Sequence, residues 1–179
     1  MKEHPEGGLL IAYTGPGKGK TTAALGLVAR AMGWGHQPAV VQFIKGKWQT
    51  GERRYFEKLA ADGHLVFDVM GRGFTWESDD LSRDRQAAQQ AWETARGLIV
   101  SEKHQVVVLD ELTYVINYGF VNLTDVMAVL ADRPPHVTVV ITGRNCPEEI
   151  IEAADLVTEM KDQRHPYHKG YRAIKGVDY

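Results

Sequence analysis

The chain has 179 residues, enough for one domain with a substantial core. Apolar residues make up 44% and charged residues 25%, and the net charge of −2 offers no bulk attraction to nucleic acid. The one cysteine, Cys146, excludes an internal disulfide, no run approaches the ~18 apolar residues of a membrane span, and the start, MKEHPEGG, lacks a signal-peptide core; a cytoplasmic protein with no membrane or nucleic-acid partner is expected.

Residues 1–8 are polar and glycine-rich and read as a flexible end. Leu9–Tyr13 reads as a buried strand, and Lys20–Met32 as a helix stopped by Gly33 and Gly35. Ala39–Ile44 is a second strand, Glu52–Ala61 a short helix and Leu65–Met70 a third strand. From Leu81 to Glu102, Ala88, Ala91, Trp92, Ala95, Leu98 and Ile99 recur at helical spacing. They form one apolar face, with Arg83, Arg85, Gln89 and Glu93 elsewhere. Val106–Leu109 is apolar throughout, as a parallel strand covered on both faces must be. A helix over Thr124–Ala131, a strand over Val137–Ile141, a helix over Pro147–Ala154 with Pro147 at or near its first turn, and a strand over Leu156–Met160 complete the pattern. Strands alternating with helices predict one α/β domain over residues 1–179, a mostly parallel sheet with helices on both faces. Ligands of such sheets bind beyond the carboxyl ends of the strands.

Chemistry-bearing residues stand at those ends. YTGPGKGKTT, Tyr13–Thr22, follows the first strand and opens the first helix, the context of a phosphate loop. The usual spelling, G-x-x-x-x-G-K-[ST], asks for glycine where Thr14 stands; Gly15, one place later, supplies the turn. Gly15, Gly17 and Gly19 let backbone N–H groups face an anion, and the helix N-terminus adds partial positive charge. Lys20 reaches phosphates and the Thr21 hydroxyl completes a Mg²⁺ shell. VVVLDELTY, Val106–Tyr114, ends an apolar strand in Asp110 and Glu111, one of which is expected to hold Mg²⁺ directly or through water. An acid capping the next helix is the structural alternative. Together the two motifs imply a Mg-nucleotide protein and leave open cleavage at the γ-phosphate, with Glu111 activating water.

Arg144 ends VVITGR and suits a phosphate as a permanently charged fork, or is a surface arginine. Arg30, far along the first helix, reads from its position alone as part of a solvated face. Phe74 and Trp76 in GRGFTWES either fold into the core or form a lid over a large flat ligand. Lys45, Lys47 and Trp48 make either a basic, aromatic ligand edge or a solvated turn. The tail, Lys161–Tyr179, carries Arg164, His165, His168, Lys169 and Arg172. Its histidines lack the spacing of a zinc site, and a basic, loose or lid-like segment near an anionic ligand is expected.

The order YTGPGKGKTTAA, VVQFIKGKW, GFTWE, VVLDELTY, VITGR and a terminal GVDY resembles the P-loop type of ATP:corrinoid adenosyltransferase, from about Leu9 to Tyr179. GFTWE and LDELTY are its most specific parts, and the shift to Thr14 belongs to that family's loop. Pro16 departs from it, as does the start close to the first strand, without the longer N-terminal arm by which some members cover the site. The resemblance implies a P-loop NTPase-like (RecA-like) sheet and transfer of the 5′-deoxyadenosyl group of ATP to cobalt(I) of a corrinoid, with triphosphate released. It implies that Lys20 and Arg144 stabilise the leaving group, that Thr21 and Glu111 ligate Mg²⁺, and that Gly15, Gly17, Lys18, Gly19, Lys20, Thr21, Thr22 and Arg30 contact nucleotide. It implies that Phe74 and Trp76 lie over the corrin and exclude its lower axial ligand, that a donor such as a reduced flavoprotein supplies electrons, and that the enzyme is a homodimer. The rivals are a P-loop ATPase or kinase cutting at the γ-phosphate and a non-catalytic, ATP-gated binding module.

Overall fold

The computed structural model describes residues 7–44, 49–70 and 81–179. The described residues form, in chain order, β1 Leu10–Thr14, α1 Lys20–Gly33, β2 Ala39–Gln42, α2 Gly51–Ala61, β3 Val66–Val69, α3 Leu81–Val100, β4 Val106–Asp110, α4 Leu112–Asn117, α5 Leu123–Ala131, β5 Thr138–Thr142, α6 Glu148–Ala153 and β6 Leu156–Glu159. The strands form one sheet in the order β3-β2-β4-β5-β1-β6, and every pairing is parallel. The fold is P-loop NTPase-like. β5 lies between β1, which leads into the glycine loop, and β4, which ends in the acidic pair.

Side chains alternate across a strand, so the apolar strands feed two cores. Leu10, Ala12, Val41, Val107, Leu109, Val139 and Ile141 face α3, α4, α5 and α6. Ile11, Val40, Val108 and Val140 face α1 and α2, where Ala24, Leu25, Val28 and Phe56 cover them. The periodic face of α3 packs as its spacing predicts, with Ala88, Ala91, Trp92, Ala95 and Ile99 buried and Leu98 half-buried. Small residues dominate that face and let the helix lie close to the sheet, while Trp92 and Ile99 are its large fully or nearly fully buried side chains. Removing the Ile99 side chain to alanine would cost about 2–5 kcal/mol.

Several boundaries differ from the sequence reading. β2 stops at Gln42, short of Ile44, and Leu112–Asn117 is a short helix that no periodicity announced. α6 begins at Glu148, with Pro147 as the cap directly before its first turn. The chain is already held at Gly8, whose N–H donates to Pro135 O at 2.5 Å and where a Cβ would stand 2.1 Å from Val137 C. No helix among the described residues is long and apolar enough to cross a membrane.

Candidate active site

The glycine loop wraps around the end of β1 and abuts the segment leaving β6. Gly15 has φ 94, and a Cβ there would lie 2.5 Å from Met160 O, so both conformation and space require glycine. The Gly17 N–H donates to Met160 O at 2.7 Å and fixes the loop against that segment. Gly19 is the residue before α1, and no side chain caps the helix. Its first N–H groups therefore face the loop's concavity. The Lys20 ammonium folds back to donate to Gly15 O and Gly17 O, each at 2.6 Å. An ammonium has three donors, so one remains for a ligand. Burial lowers the Lys20 pKa below its ordinary value, the Arg144 guanidinium lowers it further, and the Glu111 carboxylate opposes them. Two cations held within electrostatic reach of each other destabilise an empty site, and a bound anion relieves that cost.

Asp110, at the end of β4, organises the floor. One of its oxygens accepts from the Thr21 hydroxyl at 2.9 Å and from the Thr142 hydroxyl at 2.7 Å; the other accepts from the Gln42 amide at 2.8 Å. Gln42 and Thr142 end β2 and β5, the strands on either side of β4, so the parallel register itself delivers both donors. All three side chains are buried. A buried carboxylate is tolerable because charge-assisted donors surround it. Asp110 thereby ties the first turn of α1 to the centre of the sheet.

Glu111 follows with φ 65, a left-handed conformation that costs a non-glycine residue about 1–2 kcal/mol. Its N–H donates to Thr142 Oγ1 at 2.9 Å. It occupies the cap position of α4, yet its side chain makes no capping hydrogen bond, so the capping alternative does not hold. Directly after β5, Gly143 has φ 146, and a Cβ there would lie 1.9 Å from Thr113 Oγ1. The absent side chain lets the Thr113 hydroxyl donate to Arg144 O at 2.7 Å, which fixes the backbone from which the exposed Arg144 guanidinium projects. Tyr114 lies near the same two charges; burial raises its phenol above the ordinary value, Arg144 opposes this and Glu111 adds to it.

A cavity of about 510 Å³ opens over the loop, lined by Lys18, Gly19, Lys20, Thr21, Thr22, Leu25, Gly51 and Glu52 and closed by Gly176–Tyr179. Lys18, Gly19, Lys20, Thr21 and Thr22 line this cavity, and Lys20 is linked to Gly15 and Gly17 by hydrogen bonds and to Glu111 and Arg144 electrostatically. Arg30 is in the last turn of α1, exposed, about 15 Å along the helix from Lys20, and is not part of the cavity wall. Phe74 and Trp76, and likewise Lys45, Lys47 and Trp48, lie outside the described residues. The tail makes a 3-10 turn, Pro166–Lys169, and returns to the loop, where Lys18 pairs with Asp178. Sequence reasoning missed Gln42, Thr142, Thr113 and Asp178. The one available signal was a polar residue ending each of the apolar strands AVVQ and TVVIT.

A family model described as ATP:corrinoid adenosyltransferase BtuR/CobO/CobP matches residues 6–179. The chain belongs to this family. A corrinoid adenosyltransferase of Sinorhizobium sp. is 46% identical over 175 residues, which is 97% of this chain and 81% of that protein. The corrinoid adenosyltransferase CobA of Salmonella typhimurium is 43% identical over 174 residues, 97% of this chain and 87% of its own length. A corrinoid adenosyltransferase of Pseudomonas aeruginosa is 43% identical over 174 residues, 97% of this chain and 85% of its own. Within the ATP:corrinoid adenosyltransferase family, the floor built on Asp110 and the loop built on Gly15 belong to one continuous match that includes the tail.

Proposed function

We propose that the chain transfers the 5′-deoxyadenosyl group of ATP to the cobalt of a reduced corrinoid, as a step of adenosylcobalamin synthesis. The observation that carries this is the cavity formed over the Lys20 ammonium and the uncapped start of α1, with Arg144 within electrostatic reach of Lys20, in a chain of this family. Cobalt(I) is itself a strong nucleophile, so no protein base is required. Its electron pair forms the cobalt–carbon bond at the ribose C5′, the C5′–O bond breaks, and that pair leaves on the triphosphate oxygen. The demand on the protein is to stabilise growing charge on a departing polyphosphate. Lys20 supplies its remaining donor and can turn from Gly15 O and Gly17 O to phosphate oxygens. Backbone N–H groups of Lys18–Thr21, with the Lys18 and Thr22 side chains at the rim, hold the chain of phosphates. Arg144 meets it from the β5 side.

Among the described residues, no group of three or more His, Cys, Asp or Glu side chains converges as a metal site. That suits Mg²⁺, which is held by one or two protein oxygens and by substrate phosphates. The Thr21 hydroxyl, oriented by Asp110, and the Glu111 carboxylate are the hard oxygen donors present. Asp110 already accepts from three side chains, which supports Glu111 as the carboxylate that takes the ion. When bound, Mg²⁺ neutralises triphosphate charge. Phe74 and Trp76 cover the corrin, exclude its lower axial ligand and make reduction to cobalt(I) easier. A donor such as a reduced flavoprotein, a homodimer and a cytoplasmic location complete the proposal on family likeness. Incubation with MgATP and chemically reduced corrinoid is expected to give the absorbance of an alkylated cobalt; ADP and phosphate without it would instead assign γ-phosphate cleavage.

A further inference from the structure

Residues 162–179 are not buried, and Tyr167, Tyr171 and Val177 are largely exposed. Among the described residues, the pair Lys18–Asp178 is the polar side-chain contact that joins this segment to the rest of the chain. Asp178 is itself set by a local turn: Ile174 N–H donates to its second oxygen at 2.8 Å, and Gly176 N–H donates to Tyr179 O at 2.8 Å. The turn puts a carboxylate on a phosphate-loop lysine and puts Val177 and Tyr179 on the wall of the 510 Å³ cavity. A second cavity, of about 560 Å³, is lined by Lys18 and by the tail, so both residues of the pair border two cavities. The lysine holds the Asp178 carboxyl below the usual range, which keeps it anionic at neutral pH.

A triphosphate and Asp178 require the same ammonium. We propose that Asp178 is a resident anion that occupies Lys18 in the nucleotide-free site and is displaced by the triphosphate, so that the C-terminal segment opens on nucleotide binding and recloses to help expel triphosphate. The inference rests on the nucleotide site proposed above. It follows from charge and from how weakly the tail is held: an element with no buried residue is drawn from the low-stability end of the fold, and a carboxylate beside a phosphate site repels the incoming anion. The cost is modest, because the pair is solvent-accessible and screened by salt.

The test is the binding of MgATP and of inorganic triphosphate, measured by calorimetry on the full chain and on Asp178→Asn, Lys18→Gln and the double variant. Asp178→Asn is expected to tighten both ligands by about two- to fivefold at low salt. The gain should shrink as salt rises and vanish in the Lys18→Gln background. Trypsin cleavage after Lys169, Arg172 or Lys175 is expected to quicken when triphosphate is added to the wild-type chain and to be fast without ligand in Asp178→Asn. Weaker or unchanged binding by Asp178→Asn, or a gain that persists without Lys18, would overturn the proposal and make the tail a fixed wall. A wild-type chain that binds neither ligand would overturn the nucleotide site itself, and the gate with it.

Discussion

Replacing Asp110 with alanine should be among the most damaging single changes in this protein, for a reason that can be worked from three distances. The carboxylate accepts from Gln42 Nε2 at 2.8 Å, from Thr142 Oγ1 at 2.7 Å and from Thr21 Oγ1 at 2.9 Å. Gln42 is 2% exposed and Thr142 1%, so neither donor reaches water once its acceptor is removed. Each buried donor left without a partner costs about 1–3 kcal/mol. Thr21 is only half-buried and can turn to solvent. Two orphaned donors therefore predict a loss of about 2–6 kcal/mol, a large fraction of the ~5–15 kcal/mol that holds a typical domain together. Asp110→Asn should cost far less. Its amide can face Gln42, whose own amide flips to present oxygen, and its carbonyl still accepts from the hydroxyls, so the loss is about 1 kcal/mol for exchanging charged for neutral hydrogen bonds. Urea unfolding of both variants measures the difference. An alanine variant within about 1 kcal/mol of the asparagine variant would show that the donors do not depend on this acceptor, and the account of the floor would be wrong.

Three other outcomes follow from the same geometry. Gly143→Ala puts a Cβ 1.9 Å from Thr113 Oγ1. It is expected to lower the thermal midpoint and the turnover rate together, and to cost less in a Thr113→Ala background, where the 1.9 Å contact is gone and the 3.0 Å approach to the residue-113 Cβ remains; equal cost in both backgrounds would contradict this. Burial, with help from Glu148, pushes the Cys146 thiol up to about 11. Its alkylation by iodoacetamide at pH 8 should then run about two orders of magnitude slower than that of a free thiol and rise with pH up to that value, whereas a rate like free cysteine would place the thiol in water. Phe74→Ala or Trp76→Ala should lower turnover on cobalt(II) corrinoid plus reductant far more than MgATP binding, and parental rates in that assay would remove both rings from the reaction.

Much of the fold was legible because the central parallel strands are covered on both faces and so are largely apolar, as VVVL and VTVVI are. The helix over Leu81–Val100 was legible because a long amphipathic helix repeats its period several times. Helix α4 was not, because six residues do not complete two turns and most of them are buried, leaving no polar face to mark a period. The glycine loop could be read at once, since its spacing is local. Gln42 and Thr142 could not: their meaning comes from the strand order, which sets them on either side of Asp110. Lys18 and Asp178 are 160 positions apart, and only the return of the tail brings them together. Arg30, assigned to the nucleotide by likeness alone, stands in the last turn of α1, outside the lining of the cavity over the loop.

The most direct test of adenosyl transfer is the fate of the phosphates. Phosphorus NMR of a turnover mixture containing the protein, MgATP and cobalt(I) corrinoid should show intact triphosphate accumulating in a one-to-one ratio with alkylated cobalt. Resonances of ADP and inorganic phosphate in its place would mean that the bond broken is phosphorus–oxygen, and that Lys20, Arg144 and the start of α1 serve a different leaving group.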